Sequence, residues 1–144
     1  MELLAAGKKA PTIAGLETSG PLLVVFFKIT CPVCQLTLPF LNRIHEAGAL
    51  PIFGISQNDD ADTQEFIQDF HIQFPVLFDR EEDDFPASNA YGISSVPSLF
   101  LIDADGKIGR SSEGWSRREM EWLGARTSVQ IIRPGEKVPD WKAG

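Results

Sequence analysis

The chain has two cysteines, and they stand together in Cys31-Pro32-Val33-Cys34. Two thiols at this spacing close a very small disulfide ring with little backbone movement, and the ring can open again. That is the requirement for thiol–disulfide exchange, with Cys31 as the attacking nucleophile and Cys34 as the resolving thiol. Pro32 suits the first position of a helix, where its missing N–H is not needed. Cys31 then sits at the N-cap, its sulfur facing unpaired backbone N–H groups and the positive end of the helix dipole. Both features favour thiolate over thiol. Cys34 falls one turn on, beneath Cys31 and more buried.

Other chemistries fit these residues less well. A structural zinc site needs four ligands, and the two histidines, His45 and His71, lie far apart in the chain and read as surface side chains. Gln35 follows Cys34, which excludes the C-x-x-C-H pattern of haem attachment. Two cysteines are too few for an iron–sulfur cluster. No metal or other cofactor is expected. The plain alternative is a buried thiol pair or a stable disulfide; the strand before the motif, the proline inside it and the helix after it argue against that.

The elements that hold the pair are readable on either side of it. Leu22 to Phe27 is an unbroken apolar run, as in a strand covered on both faces, and its β-branched and aromatic content favours strand over helix. The helix after Cys31 carries Leu36, Phe40 and Ile44 at spacing four, with Val33 and Leu41 near the same side and Asn42, Arg43, His45 and Glu46 facing out. Pro39 lies inside this helix and should kink it; Gly48 ends it. Leu50 to Ser56 reads as a second strand. A helix follows from Ala61 to Phe70, with Phe66, Ile67 and Phe70 inward and Asp62 and Glu65 in its first turn. Phe74 to Asp79 reads as a third strand, which Pro75 places near an edge or a strand start. Arg80 to Phe85 is an acidic loop, and Ala87 to Tyr91 a short helix closed by Gly92.

Ser98 to Ile102 is the next strand, and Asp105-Gly106 a hairpin turn that returns the chain as Lys107 to Ser111. Ser116 to Glu119 is a capping box flanked by Trp115 and Met120, opening a last helix to about Thr127. The tail from Val129 to Gly144 is not helical, and Trp141 is expected to pin it to the body. The order is β-α-β-α-β-α-β-β-α. Such alternation implies a mostly parallel sheet with helices on both faces, made mixed by the closing hairpin.

The 144 residues fit a single domain, with residues 1–20 as an irregular lead-in and 129–144 as a tail. A net charge of −7 and the absence of a Lys/Arg run argue against nucleic-acid binding. No segment approaches the roughly 20 apolar residues of a membrane helix. The opening Met1 to Pro11 has no basic stretch followed by a long apolar one, so no signal peptide is read. That favours the cytoplasm, and an extracytoplasmic location stays open if the natural chain starts earlier.

This order resembles the thioredoxin fold, with Cys31-Pro32-Val33-Cys34 as its active-site motif, Pro39 as the kinking proline and Val96-Pro97 as the cis-proline loop. Gly7 to Pro11 is similar to a redoxin lead, and Tyr91 to Asp103 resembles the cis-proline segment of the redoxin branch. That branch holds TlpA/ResA-like thiol–disulfide oxidoreductases and the AhpC/TSA peroxiredoxins. The resemblance covers roughly Gly7 to Thr127. It implies a three-layer α/β/α fold with a mixed, mostly parallel central sheet, in which Ala61 to Asp79 form the redoxin helix–strand insertion.

For the site, the resemblance implies that the backbone at Val96, beside a cis Pro97, pairs with an extended client, with Pro32 and Val33 also touching substrate. Lys28 and Thr30 are candidate modulators. Protein or small-molecule disulfides or dithiols are the implied substrates, exchanged in the reducing direction and with an upstream redox partner, by a monomer or weak dimer. The chain departs from the pattern in places. Val25 stands where plain thioredoxins carry a buried Asp, and Thr30 where a Trp usually precedes the first cysteine, so Cys34 lacks a dedicated base. Glu65 or Asp79 would serve only if the fold brings one there. Peroxiredoxins place a Thr or Ser three residues before their cysteine, with an Arg nearby; here that position is Lys28, so peroxide reduction is the alternative. A redox-inert binding module is another.

Overall fold

Leu22–Phe27 forms β1, and all six of its residues are buried. Successive side chains of a strand point to opposite faces, so both faces of β1 are covered. This computed structural model describes residues 2–17 and 20–144; Met1, Thr18 and Ser19, all in the expected lead-in, lie outside the described residues. After β1 come α1 (Pro32–Glu46), β2 (Ile52–Ser56), α2 (Asp60–Asp69) and β3 (Val76–Phe78). A single 3-10 turn (Glu81–Asp83) leads to α3 (Pro86–Ala90), β4 (Ser98–Ile102), β5 (Ile108–Glu113), β6 (Trp115–Ser116), α4 (Arg117–Thr127) and β7 (Trp141–Lys142). The fold is thioredoxin-like α/β.

The central sheet has the order β3-β2-β1-β4-β5, and β6 and β7 form a separate two-stranded ribbon. β1 pairs in parallel with β2, and β2 with β3, which lies at an edge as Pro75 suggests. β4 runs antiparallel to β1, with Phe26 opposite Ser98 and Leu22 opposite Ile102. β5 is antiparallel to β4 and so points the same way as β1. The sheet is mixed, as expected, but the reversed strand is β4 and not β5. The nineteen residues between β3 and β4, Asp79 to Pro97, stay at one end of the sheet and carry only the 3-10 turn and α3. α3 has five residues, spans about 7.5 Å, and does not carry the chain back to the start of the sheet.

The buried face of α1 differs from the expected one. Cys34, Thr37, Leu38, Leu41, Asn42 and Ile44 are buried, while Leu36 and Phe40 are only half-buried. Asn42, expected outside, accepts a hydrogen bond from the Gln73 N–H at 2.8 Å and donates to the His71 carbonyl at 3.3 Å. Its amide replaces water for the turn after α2, which is why a polar residue is stable there. Phe40 turns towards Trp115, ring centroids 5.1 Å apart.

The lead-in is not loose. Ala10 and Ile13 are buried, and the Gly7 and Ala10 N–H groups donate to Ile108 and Gly106 along the β5 side. The tail is also fastened, but not by the Trp141 ring, which is 62% exposed. Arg43 grips it instead, donating to the Ile131 carbonyl at 2.7 Å and to both Glu136 carboxylate oxygens at 2.6 and 2.7 Å. Ser116 caps α4 through the Glu119 N–H. Glu119 does not complete the box, because its carboxylate is bound by Arg110 at 2.7 and 2.8 Å.

Candidate active site

β1 ends at Phe27, and the next three residues must turn the chain into α1. Two side chains hold that turn. Asn58 Oδ1 accepts from the Ile29 N–H at 2.8 Å, and the Gln35 amide donates to the Ile29 carbonyl at 3.0 Å. Cys31 is then the N-cap of α1, in extended conformation, with Pro32 in the first turn. The Cys34 N–H donates to Cys31 Sγ at 3.2 Å. A sulfur here takes the place that Ser or Asp occupies at an ordinary cap.

The two thiols, both free, sit in different surroundings: Cys31 is half-buried and Cys34 fully buried. Burial pushes the Cys34 thiol far above its ordinary range. The Lys28 backbone pulls it back in part, the Cys31 sulfur pushes it up further, and the Lys28 ammonium pulls it down. Cys34 is therefore held as a neutral thiol. Among the described residues, no carboxylate is placed to help it. Asp79 is buried, but its two oxygens accept from the Ala87 and Ser88 N–H groups at 3.0 and 2.7 Å, fixing the start of α3. Glu65 is exposed beside Ile29 and Gln35.

Across from Cys31 lies the loop before β4. The Val96–Pro97 peptide bond is cis, and the Cys31 thiol donates to the Val96 carbonyl at 3.4 Å. A cleft of about 500 Å³ opens here, lined by Lys28, Cys31, Pro32, Gln57, Ser88 and Val96 among others. Of the residues expected at the site, Lys28, Cys31, Pro32 and Val96 meet in this cleft. Val33 is half-buried against the core, Pro97 is buried behind Val96, and Thr30 is exposed away from the cleft.

Gln57, Asn58, Gln35 and Ser88 are the residues that spacing did not single out. Gln57 and Asn58 follow a parallel strand at its carboxyl end, where crevices of α/β sheets form; that signal was available. Among the described residues, no group of three or more His, Cys, Asp or Glu side chains is placed to hold a metal. No helix among them is long and apolar enough to cross a membrane.

The AhpC/TSA family model matches residues 6–111. The chain belongs to the AhpC/TSA family. Within that family it is a TlpA/ResA-like redoxin. It is 26% identical over 98 residues to the thiol-disulfide oxidoreductase ResA of Geobacillus thermodenitrificans, covering 65% of this chain and 55% of that one. It is 33% identical over 103 residues to the thiol:disulfide interchange protein DsbE of Pseudomonas fluorescens, covering 71% and 56%. The chain thus spans little more than half the length of these two relatives. The thioredoxin domain of a Bacteroides vulgatus thiol-disulfide oxidoreductase superposes with a TM-score of 0.73 at 22% identity, over 88% of this chain and 99% of that domain. That likeness concerns the fold.

Proposed function

We propose that this redoxin is a thiol–disulfide oxidoreductase that works through Cys31 and Cys34 in the reducing direction. The observation that carries the reading is the pairing of a half-exposed sulfur at a helix N-cap with a buried thiol one turn on, opposite the Val96 carbonyl. Cys31 thiolate attacks a client disulfide; the client S–S bond breaks, a Cys31–client disulfide forms, and the first client sulfur leaves and takes up a proton. Cys34 then loses its proton and attacks Cys31 Sγ, releasing the second client sulfur. Two electrons and two protons pass to the client, and the Cys31–Cys34 disulfide must be reduced again by a donor dithiol.

The sparse charge around the dithiol supports the assignment of direction. Pro32 and Val33 carry no charge, and among the described residues Lys28 is the one cation lining the cleft. Beyond the Cys34 N–H on Cys31 Sγ and the Lys28 ammonium, such a dithiol has no charged contact of the kind that stabilises the reduced form of an oxidant. The relatives' names, oxidoreductase and interchange protein, fit exchange of either sense. Among the described residues no arginine lines the cleft, which favours a disulfide over a peroxide as the electrophile.

The test is trapping plus a potential. Cys34→Ser should accumulate a mixed disulfide through Cys31 when given a disulfide-bonded client. The couple should equilibrate near the thioredoxin potential, about −270 mV. A value towards about −120 mV would reverse the direction. Failure to form a reversible disulfide, with or without peroxide consumption, would overturn the exchange reading.

A further inference from the structure

Beyond α4 the chain is tied down link by link. Arg117 Nη2 donates to the Val138 carbonyl at 2.7 Å, Trp115 Nε1 to Pro139 at 2.6 Å, and the Arg117 N–H to Asp140 at 2.9 Å. β7 then pairs antiparallel with β6, Lys142 opposite Trp115. This path leads the last residues past Gly114 and into the cleft. Gly114 has φ +71°, and a Cβ there would overlap the Lys142 carbonyl and lie 3.5 Å from Ala143 Cα. Gly144 ends against the Val96–Pro97 bond. A Cβ on it would overlap the Val96 carbonyl oxygen and lie 2.6 Å from its carbon and 3.2 Å from Pro97 N. Only glycine fits so close to another backbone, and Gly144 lines the same cleft as Cys31.

Building on the docking role given above to Val96, we propose that the segment Trp141–Gly144 occupies the client's place at that edge and sets substrate specificity. A client that runs past its cysteine as an extended strand needs the Val96 backbone edge. It must first lift residues 143 and 144 away. A small disulfide needs only Cys31 Sγ, which is reached through the open part of the cleft. The chain is thereby tuned towards small or compact disulfides and against extended polypeptides. Lifting is local, because β7 has two residues, both exposed. Segments with so few buried contacts open at little cost. A segment docked nine-tenths of the time would raise the apparent KM for an extended client about tenfold.

Gly144→Val provides the test, with Gly144→Ala as the milder form. Both side chains displace the segment from Val96 without touching Cys31 or Cys34. The substrates are bis(2-hydroxyethyl) disulfide and a linear peptide carrying a mixed disulfide at a central cysteine. Single-turnover rates with pre-reduced protein should rise about three- to tenfold for the peptide and stay within about twofold for the small disulfide. In the Cys34→Ser protein trapped on the peptide, amide exchange at residues 141–144 should be faster than in the free protein. If the parent reduces both substrates and the ratio of rates is unchanged in Gly144→Val, the role of the segment is refuted and exchange chemistry stands. A slower peptide reaction in the variant would refute it too, by making the segment part of the docking platform. If the parent reduces neither substrate, the exchange reading falls first.

Discussion

Raising the pH from about 6 to about 8 should accelerate the second step of exchange, attack by Cys34 on the Cys31 mixed disulfide, about a hundredfold. The nucleophile is the thiolate, and below a thiol's pKa the thiolate fraction grows about tenfold per pH unit. Burial is the largest cause that lifts Cys34, with the Cys31 sulfur adding to it and Lys28 opposing it. In the mixed disulfide Cys31 carries no charge, so its contribution disappears. Cys34 remains under the first turn of α1, and desolvation still holds it up. The slope of log rate against pH should therefore stay near one through neutrality. The assay is a single-turnover reaction with an aromatic disulfide whose released thiol absorbs light. The first burst reports attack by Cys31, and the second phase reports attack by Cys34. Lys28→Met should slow the second phase at every pH, since its ammonium favours the Cys34 thiolate, and should leave the slope unaltered. A second phase that is flat across neutral pH would refute the reasoning, because it would require a proton acceptor beside Cys34 that is not found among the described residues.

Alkali should weaken the reduced fold. Burial lifts both Cys34 and Tyr91 above their ordinary ranges, so each favours the folded state while it is neutral in the unfolded chain. That preference is intact below about pH 9 and declines above it by up to about 1.4 kcal/mol per pH unit for each group; urea midpoints at rising pH give the slope, and Cys34→Ser should flatten its first part. Asn42→Ala should cost about 0.5–1.5 kcal/mol by urea unfolding, since it removes the buried amide that accepts from the Gln73 N–H; a loss indistinguishable from zero would mean that water replaces the amide. The clamp on the tail should survive moderate acid. Arg43 holds the Glu136 carboxyl down to about 2. Its contribution is present above the ordinary carboxylate range and is lost as pH falls through about 2, so amide protection over residues 131–136 should largely persist at pH about 4 and fall in Arg43→Met at any pH.

The parts legible in the sequence are those fixed by neighbours in the chain. The apolar run of β1, the Cys31–Pro32 helix start, the Asp105-Gly106 hairpin and the Ser116 cap each depend on a few adjacent residues, and each forms where expected. The parts that were not legible depend on distant partners. Asn42 is inside because Gln73 and His71 arrive beside it, and Arg43 is held by Glu136, 93 residues away. Polarity at both positions reads as exposure until those partners are known. The same holds for Glu119, drawn from the capping box by Arg110 across the sheet edge. Trp141 is the opposite case: hydrophobicity predicts an anchor, whereas the ring is exposed and the backbone and the Arg43 clamp fasten the tail.

The direction of β4 links the fold to the site. Alternation of strands and helices predicts β4 parallel to β1. In that arrangement the start of β4 would lie at the opposite end of the sheet from the end of β1, and Val96 could not approach Cys31. Because β4 is reversed, Phe26 stands opposite Ser98, and the residues just beyond this pair, Lys28 on one side and Val96 on the other, reach the same end. The chain leaves β1 there into Cys31 and enters β4 there from Val96. The link from β3 to β4, which holds α3 and makes no return crossing, thus brings the carbonyl to the thiol. Spacing in the sequence identifies the two cysteines but does not contain this meeting. It arises from a helix five residues long and from Asp79, which fixes the start of that helix. On this reasoning Asp79 acts on the site through the path of the chain, far from any role as a base, and its contribution belongs to the placement of Val96.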